Sequence, residues 1–219
     1  MSMAGRAPAG RPVPWHFDPM VCRTDLDAFE DLLTAKPELS ERDDVLPFFR
    51  DHPNLSALLG SYNPNVTAYD RLGVEVGLFG QFTADVVAGD GQSRAYCFVE
   101  FEDGRSNSIF VRRGRQTTEW GARFEHAFGQ VVDWLWLLDD QEHTTAFEEL
   151  FGPRPLDVTA LLVAGRDRGV SDSDRRRLKW REKHIVINSH HIYCYTFDDL
   201  LRSLRRRFRT WTVTVPPPE

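Results

Sequence analysis

Asp85, Glu100 and Glu102 stand in FTADVVAGDGQSRAYCFVEFEDG, residues 82–104. The stretch reads as two strand-forming runs joined by a Gly/Asp turn. In a strand, residues i and i+2 share a face, so Glu100 and Glu102 project together while Phe101 points into the core. Asp85 comes from the neighbouring strand and, depending on register, falls beside Glu100. Carboxylates converging on a sheet edge are costly unless a cation neutralises them. Hard oxygen ligands select Mg²⁺ (or Mn²⁺), which keeps waters that can act as nucleophile. The backbone carbonyl of Phe101 is a further candidate ligand. The same string, V-E-F-E, is also the alternation of a half-solvated strand, so the pattern alone leaves both readings open. His126 and Gln130, four apart, share a face of a helix. In the apolar stretch GQVVDW a buried Gln130 would need a hydrogen-bond partner, which a carboxylate–metal–water cluster would supply; on the surface it needs none.

The elements that must position these residues follow from periodicity. Residues 24–38 carry Leu26, Phe29, Leu32 and Leu33 at helical spacing. Ser40 with Asp43 opens a second helical segment in capping-box fashion, which Pro47 must kink or restart. Strands are expected at 74–79, 82–88 and 95–101, and residues 103–117 as a loop. Residues 119–140 form a long amphipathic helix with Phe124, Phe128, Val131, Leu135 and Leu138 on one stripe. A strand buried on both faces is expected at 159–165. An Arg-rich helix, two short strands and a closing helix complete the chain. The order implies an α/β fold with a central mixed β-sheet flanked by helices. The expected organisation is a disordered arm (1–22), an N-terminal helical segment (23–70), the main domain (71–212) and a tail (213–219).

The chain has 219 residues and a net charge of −6, unevenly spread. From residue 151 onward there are 14 Arg/Lys against 8 Asp/Glu. These basic groups cluster in residues 168–184 and 202–209, the expected sites of phosphate-backbone contact or of solvated helix faces. No apolar run reaches the roughly 18 residues a membrane span needs. The first residues hold no apolar signal core, so a cytoplasmic location is expected. The three cysteines, Cys22, Cys97 and Cys194, lack the spacing of a zinc site or disulfide framework.

In order along the chain, FTADVV, CFVEFED, SIFVRRGRQT, HAFGQVVDWLWLL, LLVAGRDRGVSDSDRRRLKW and YTFDDLLRSLRRR resemble the Shedu-type antiphage defence nucleases. The catalytic domain of that family belongs to the PD-(D/E)xK restriction-endonuclease-like superfamily. The resemblance runs from about residue 40 to about residue 208, and SERDDVLPFFRDHPNL resembles the family's helix leading into a His-Pro turn. It implies a restriction-endonuclease-like core with N-terminal helices, acting as a metal-dependent DNA endonuclease in bacterial defence. Asp85 and Glu100 would bind Mg²⁺, Gln130 would help position the site, and His126 would contact the site or the phosphate backbone. Glu41 or Asp44 would fill the extra acidic role some superfamily members use. Where the superfamily usually has Lys, this chain has Glu102, which can act as a general base or hold a second metal. A basic group would then come from Arg94, Arg112 or Arg113. Arg112, Arg113, Arg175, Arg176, Arg177, Lys179, Arg205 and Arg206 are the expected DNA contacts. The resemblance also implies a homo-oligomer, dimer or tetramer, for which an exposed Trp134 or Trp136 is the only support in the sequence. The alternative is a catalytically inactive nuclease fold serving as a nucleic-acid-binding or scaffold module.

Overall fold

A seven-stranded mixed sheet organises the chain. The computed structural model describes residues 6–114 and 117–214. The strands β1 (Val13–Pro14), β2 (Arg71–Leu78), β3 (Phe82–Asp90) and β4 (Ala95–Phe101) pair antiparallel. β4 then pairs parallel with β7 (Asp157–Val163), β7 parallel with β9 (His190–Tyr195), and β8 (Val186–Ile187) closes the far edge. A two-stranded ribbon, β5 (Phe110–Val111) with β6 (Glu119–Trp120), lies apart from it. Parallel pairing requires a crossover, and the chain supplies one through α4 (Ala122–Gln141) and α5 (Thr145–Phe151), and another through α6 (Asp172–His184).

Two apolar cores sandwich the sheet. On one face α1 (Pro19–Ala35), α2 (Leu46–Asp51), α3 (Pro53–Leu58) and α7 (Phe197–Thr214) bury Phe29, Phe49, Leu55 and Leu204 against Cys97, Val99 and Phe101. On the other face α4 buries the expected stripe of Phe124, Phe128, Val131, Leu135 and Leu138 against Tyr96, Phe98 and Leu162. All three cysteines are buried, and burial pushes each thiol up. Trp134 is buried rather than exposed, whereas Trp136 is 57 % exposed.

Several local outcomes depart from expectation. Phe110–Val111 forms a strand in the stretch expected as a loop, and Glu119–Trp120 pairs with it, so the long helix begins at Ala122 rather than at residue 119. Residues 6–22, expected as part of a disordered arm, are ordered where described: Val13–Pro14 adds to β2, and Asp18 caps a helix that begins at Pro19. Residues 1–5 and 215–219, which hold the rest of the expected arm and most of the tail, lie outside the described residues. The short helix α5 was not anticipated, because Phe147 and Phe151 are too few to set a period. At Pro47 the chain takes the restart, one of the two expected outcomes: Ser40 caps a single π-type turn over Glu41–Val45, and Pro47 sits in the first turn of α2, where its missing N–H costs nothing.

One arginine ties the two ends of the first face together. Gly165, at φ +68°, turns the chain out of β7. The next residue, Arg166, is buried and forks onto Asp198 at the start of α7 (Nε to Oδ2 2.9 Å, Nη2 to Oδ1 3.0 Å). Its remaining donors meet the carbonyls of Leu33 (2.8 Å) and Lys36 (2.6 Å), left free at the end of α1. Arg166→Ala leaves Asp198 and two helix-terminal carbonyls without their partner. A loss of about 4 kcal/mol is expected, read as a lowered denaturation midpoint; Arg166→Lys should recover only part of it, because an ammonium cannot make the fork.

Candidate active site

The register places the acids. Val86 faces Val99, so Asp85 on β3 lies directly across from Glu100 on β4. On β2, Val74 faces Val86 and Val76 faces Ala84, so Glu75 stands opposite Asp85 on the other side. The ladder lapses at that point: Glu75 takes φ +48°, a left-handed conformation uncommon for a residue with a Cβ. The lapse changes which side chains face which core. Leu72 and Val74 join the first core, whereas Val76 and Leu78 join the second. On β3, Val86 and Ala88 lie with the first core and Ala84 with the second. The β2–β3 hairpin therefore swings across the sheet at the level of Asp85, as a bulge redirects a strand.

β4 keeps its alternation. Phe101 is fully buried and stacks on Phe49 with ring centres 4.4 Å apart. Glu100 lies on the α4 side with Tyr96 and Phe98. Glu100 and Glu102 are each 8 % exposed, and each has a carboxylate oxygen that no donor meets. Asp85 Oδ2 accepts the amide N–H of Phe101 at 2.7 Å. The early helix contributes a fourth acid. Glu41 is the residue involved, not Asp44: Asp44 is turned away onto Lys36 and the Ser40 amide. The Glu41 backbone is held by Asp103, whose Oδ1 accepts its N–H at 2.9 Å.

Electrostatics tie these groups into one site. Burial pushes the Asp85 carboxyl well up, against the pull of the Phe101 amide, and the charges of Glu41, Glu75 and Glu102 add to the rise. Burial also raises Glu100, reinforced by Asp85, Glu41 and Glu102. Glu41 and Glu102 are raised by burial as well, with Arg123 opposing the rise in both and His126 opposing it at Glu102. Among the described residues, no group of three or more His, Cys, Asp or Glu side chains is placed to hold a metal ion. The donor set nonetheless fits a hard divalent cation: its members are carboxylates, and two of their oxygens are buried without a donor. Such oxygens carry the full cost of desolvation unless protonated or met by positive charge.

The residue missed by sequence reasoning is Arg123, on the first turn of α4. Its Nη1 reaches Asp103 Oδ2 at 2.5 Å and stands 3.9 Å from Glu102 Oε2. Asp103 is buried and also draws in Arg105, Nε at 3.1 Å. The signal was the adjacent Glu-Asp pair of CFVEFED followed by an arginine at the helix start, but no spacing rule links a strand end to a helix some twenty residues on. The expected basic groups lie elsewhere. Arg94 sits at the opposite end of β4, roughly 20 Å of strand from Glu100, and donates to the carbonyl of Pro155 at 3.2 Å. Arg112 is exposed and lines a separate cleft with Ser106 and Arg168. Arg113 stands 3.9 Å from Glu119. Gln130 donates to the carbonyl of Thr83 at 3.4 Å, tying α4 to β3 two residues before Asp85, and exposed His126, one turn earlier, has only a weak electrostatic pull on Glu102.

The expected DNA-contacting residues divide. Arg175 is held by Asp167 and Asp199, Arg177 by Asp174 and Thr118, Lys179 by Glu182, and Arg205 by Asp27 and Glu30. Arg176 and Arg206 are exposed, with no ion pair among the described residues.

The family model for the Shedu protein SduA, C-terminal, matches residues 38–201. The chain belongs to that family. It is a Shedu-type defence protein, and the matched span takes in every acid of the site and Arg123. No curated protein matches the chain. Among the described residues, no helix is long and apolar enough to cross a membrane.

Because burial and like charge raise Glu100, its ionised form is disfavoured in the fold. This penalty is absent below the unfolded carboxyl range and grows as pH rises toward the raised folded value. Glu100→Gln is therefore expected to stabilise the metal-free protein by on the order of 2 kcal/mol near pH 8. The gain should vanish near pH 4, as read by thermal melting across pH.

Proposed function

We propose that this Shedu-family chain is a divalent-metal-dependent DNA endonuclease of a bacterial antiphage defence system, built on a PD-(D/E)xK-type core. The observation that carries the reading is the pair of buried, donorless carboxylate oxygens on Glu100 and Glu102 beside Asp85 and Glu41. Asp85 and Glu100 would hold Mg²⁺ or Mn²⁺, with the Phe101 carbonyl as a further ligand and Glu41 filling the extra acidic place. The bound ion would supply charge neutralisation for the scissile phosphate and a more acidic water. Glu102 takes the proton of the attacking water. Arg123, 3.9 Å from Glu102, supplies the positive charge that a lysine gives elsewhere in the superfamily. Gln130 holds β3 in place, and His126 contacts the phosphate backbone. Arg112, Arg176 and Arg206 are the exposed members of the expected basic set with no ion pair among the described residues, and so are free for DNA phosphates; the other members act through assembly contacts or structural ion pairs. The active form is a cytoplasmic dimer or tetramer, for which exposed Trp136 is one contact.

A second reading, an inactive scaffold, is favoured by one observation: Glu102 in place of the usual lysine. Cleavage of linear and supercoiled plasmid in Mg²⁺, Mn²⁺ or EDTA separates the two. The expected outcome is cutting that needs metal, is abolished in Glu100→Ala and slows about a hundredfold in Glu102→Ala and Arg123→Ala. Undiminished cutting by Glu100→Ala would refute the site. No cutting on either substrate, with DNA still bound, would establish the scaffold.

A further inference from the structure

A second site lies on the other flank of α4. A cleft of about 520 Å³ is lined by Trp120, Ser173, Arg176, Arg177, Trp180 and Arg181, a volume in the range of small-molecule sites, about 300–1,000 Å³. One wall is fixed: the guanidinium groups of Arg177 and Arg181 lie over the Trp120 ring at 5.2 and 4.8 Å. Arg177 is neutralised by Asp174, and Arg181 by Glu125. The other wall is open. Trp180 is 62 % exposed, and among the described residues its one ring neighbour is His184, 4.9 Å away. Arg176 lies one helical turn before Trp180 on the same face of α6 and makes no ion pair among the described residues. A bare indole beside an unpaired guanidinium has the chemistry of a stacking platform with a phosphate contact.

We propose that this cleft binds an unpaired nucleobase on Trp180 and its phosphate at Arg176, so that it seats a locally single-stranded segment of the nucleic acid. Away from its ends a duplex keeps its base faces within its own stack, so along the duplex the indole can reach only an unpaired or extruded base. The cleft and the acidic site lie on opposite sides of the first turn of α4. Arg123 and Glu125 are separated by about 200° around α4; the first touches Asp103, and the second holds Arg181 of the cleft. That a strand passes onward to the acids rests on the nuclease reading; binding in the cleft does not.

The test is equilibrium binding in EDTA, where cutting cannot intervene, with four probes: a labelled short oligothymidylate, an abasic strand of equal length, a blunt duplex and thymidine monophosphate. Trp180→Ala should weaken oligothymidylate binding about tenfold and leave the abasic strand unchanged, Trp180→Phe should recover most of the loss, and Arg176→Glu should weaken both strands. Equal oligothymidylate binding by wild type and Trp180→Ala would overturn the site. So would wild type holding the abasic strand as tightly as oligothymidylate. Thymidine monophosphate bound as tightly as the oligonucleotide would overturn the strand in favour of a free nucleotide. Trp180-dependent binding in a protein that cuts nothing would leave this site standing while the nuclease reading falls.

Discussion

Glu100 and Glu102 leave the end of the central strand with carboxylate oxygens buried and unmet by any donor. A fold tolerates such groups only when the rest of the structure fixes their surroundings, since their desolvation works against stability. Much of the architecture does that fixing. β4 is locked between antiparallel β3 and parallel β7, so its backbone cannot shift to release the acids. Phe101, between them in sequence, is stacked on Phe49 in the opposite core. Asp103, just beyond, gathers the Glu41 backbone and Arg123 around the strand end. The left-handed Glu75 opposite Asp85 marks the same level on β2. An uncommon backbone conformation and a cluster of raised carboxyls therefore fall at one level of the sheet.

The first face supplies rigidity at a distance from the chemistry. Arg166 joins the ends of α1, β7 and α7 in one hydrogen-bonded knot. The AGR run that resembles the family is thus structural in this chain. Its charge is matched by Asp198, so the basic character of the C-terminal third is less available to a partner than the count of arginines implies. Most of those side chains are spent on neighbours, and the free positive charge narrows to a few positions.

Much of the fold was legible because its signals are local. The α4 stripe, the β3–β4 hairpin and the Ser40 cap each depend on spacing within a few residues, and each formed as expected. That Asp85 could fall beside Glu100 was legible from the hairpin, but the register that places it there was not, and the pairing of Val86 with Val99 supplies it. Glu41 over Asp44, Arg123 in place of Arg94, and the level of Glu75 were not legible either, because each depends on contacts between elements far apart in sequence. The ordering of residues 6–18 was hidden for a different reason: a Pro/Gly-rich composition reads as disorder, yet two residues of it add to an open sheet edge. Trp134 and Trp136 look alike in sequence and differ only in which side of α4 they face.

If the donorless carboxylates are a cation site, Mn²⁺ should bind the protein without DNA, and binding should displace protons because Asp85 and Glu100 are held up by burial and mutual charge. Titration calorimetry in two buffers of different ionisation enthalpy reads both quantities at once. The account predicts saturable Mn²⁺ binding with proton release in the wild type, both lost in a protein carrying Asp85→Asn and Glu100→Gln. No binding, or binding that survives both substitutions, would contradict it.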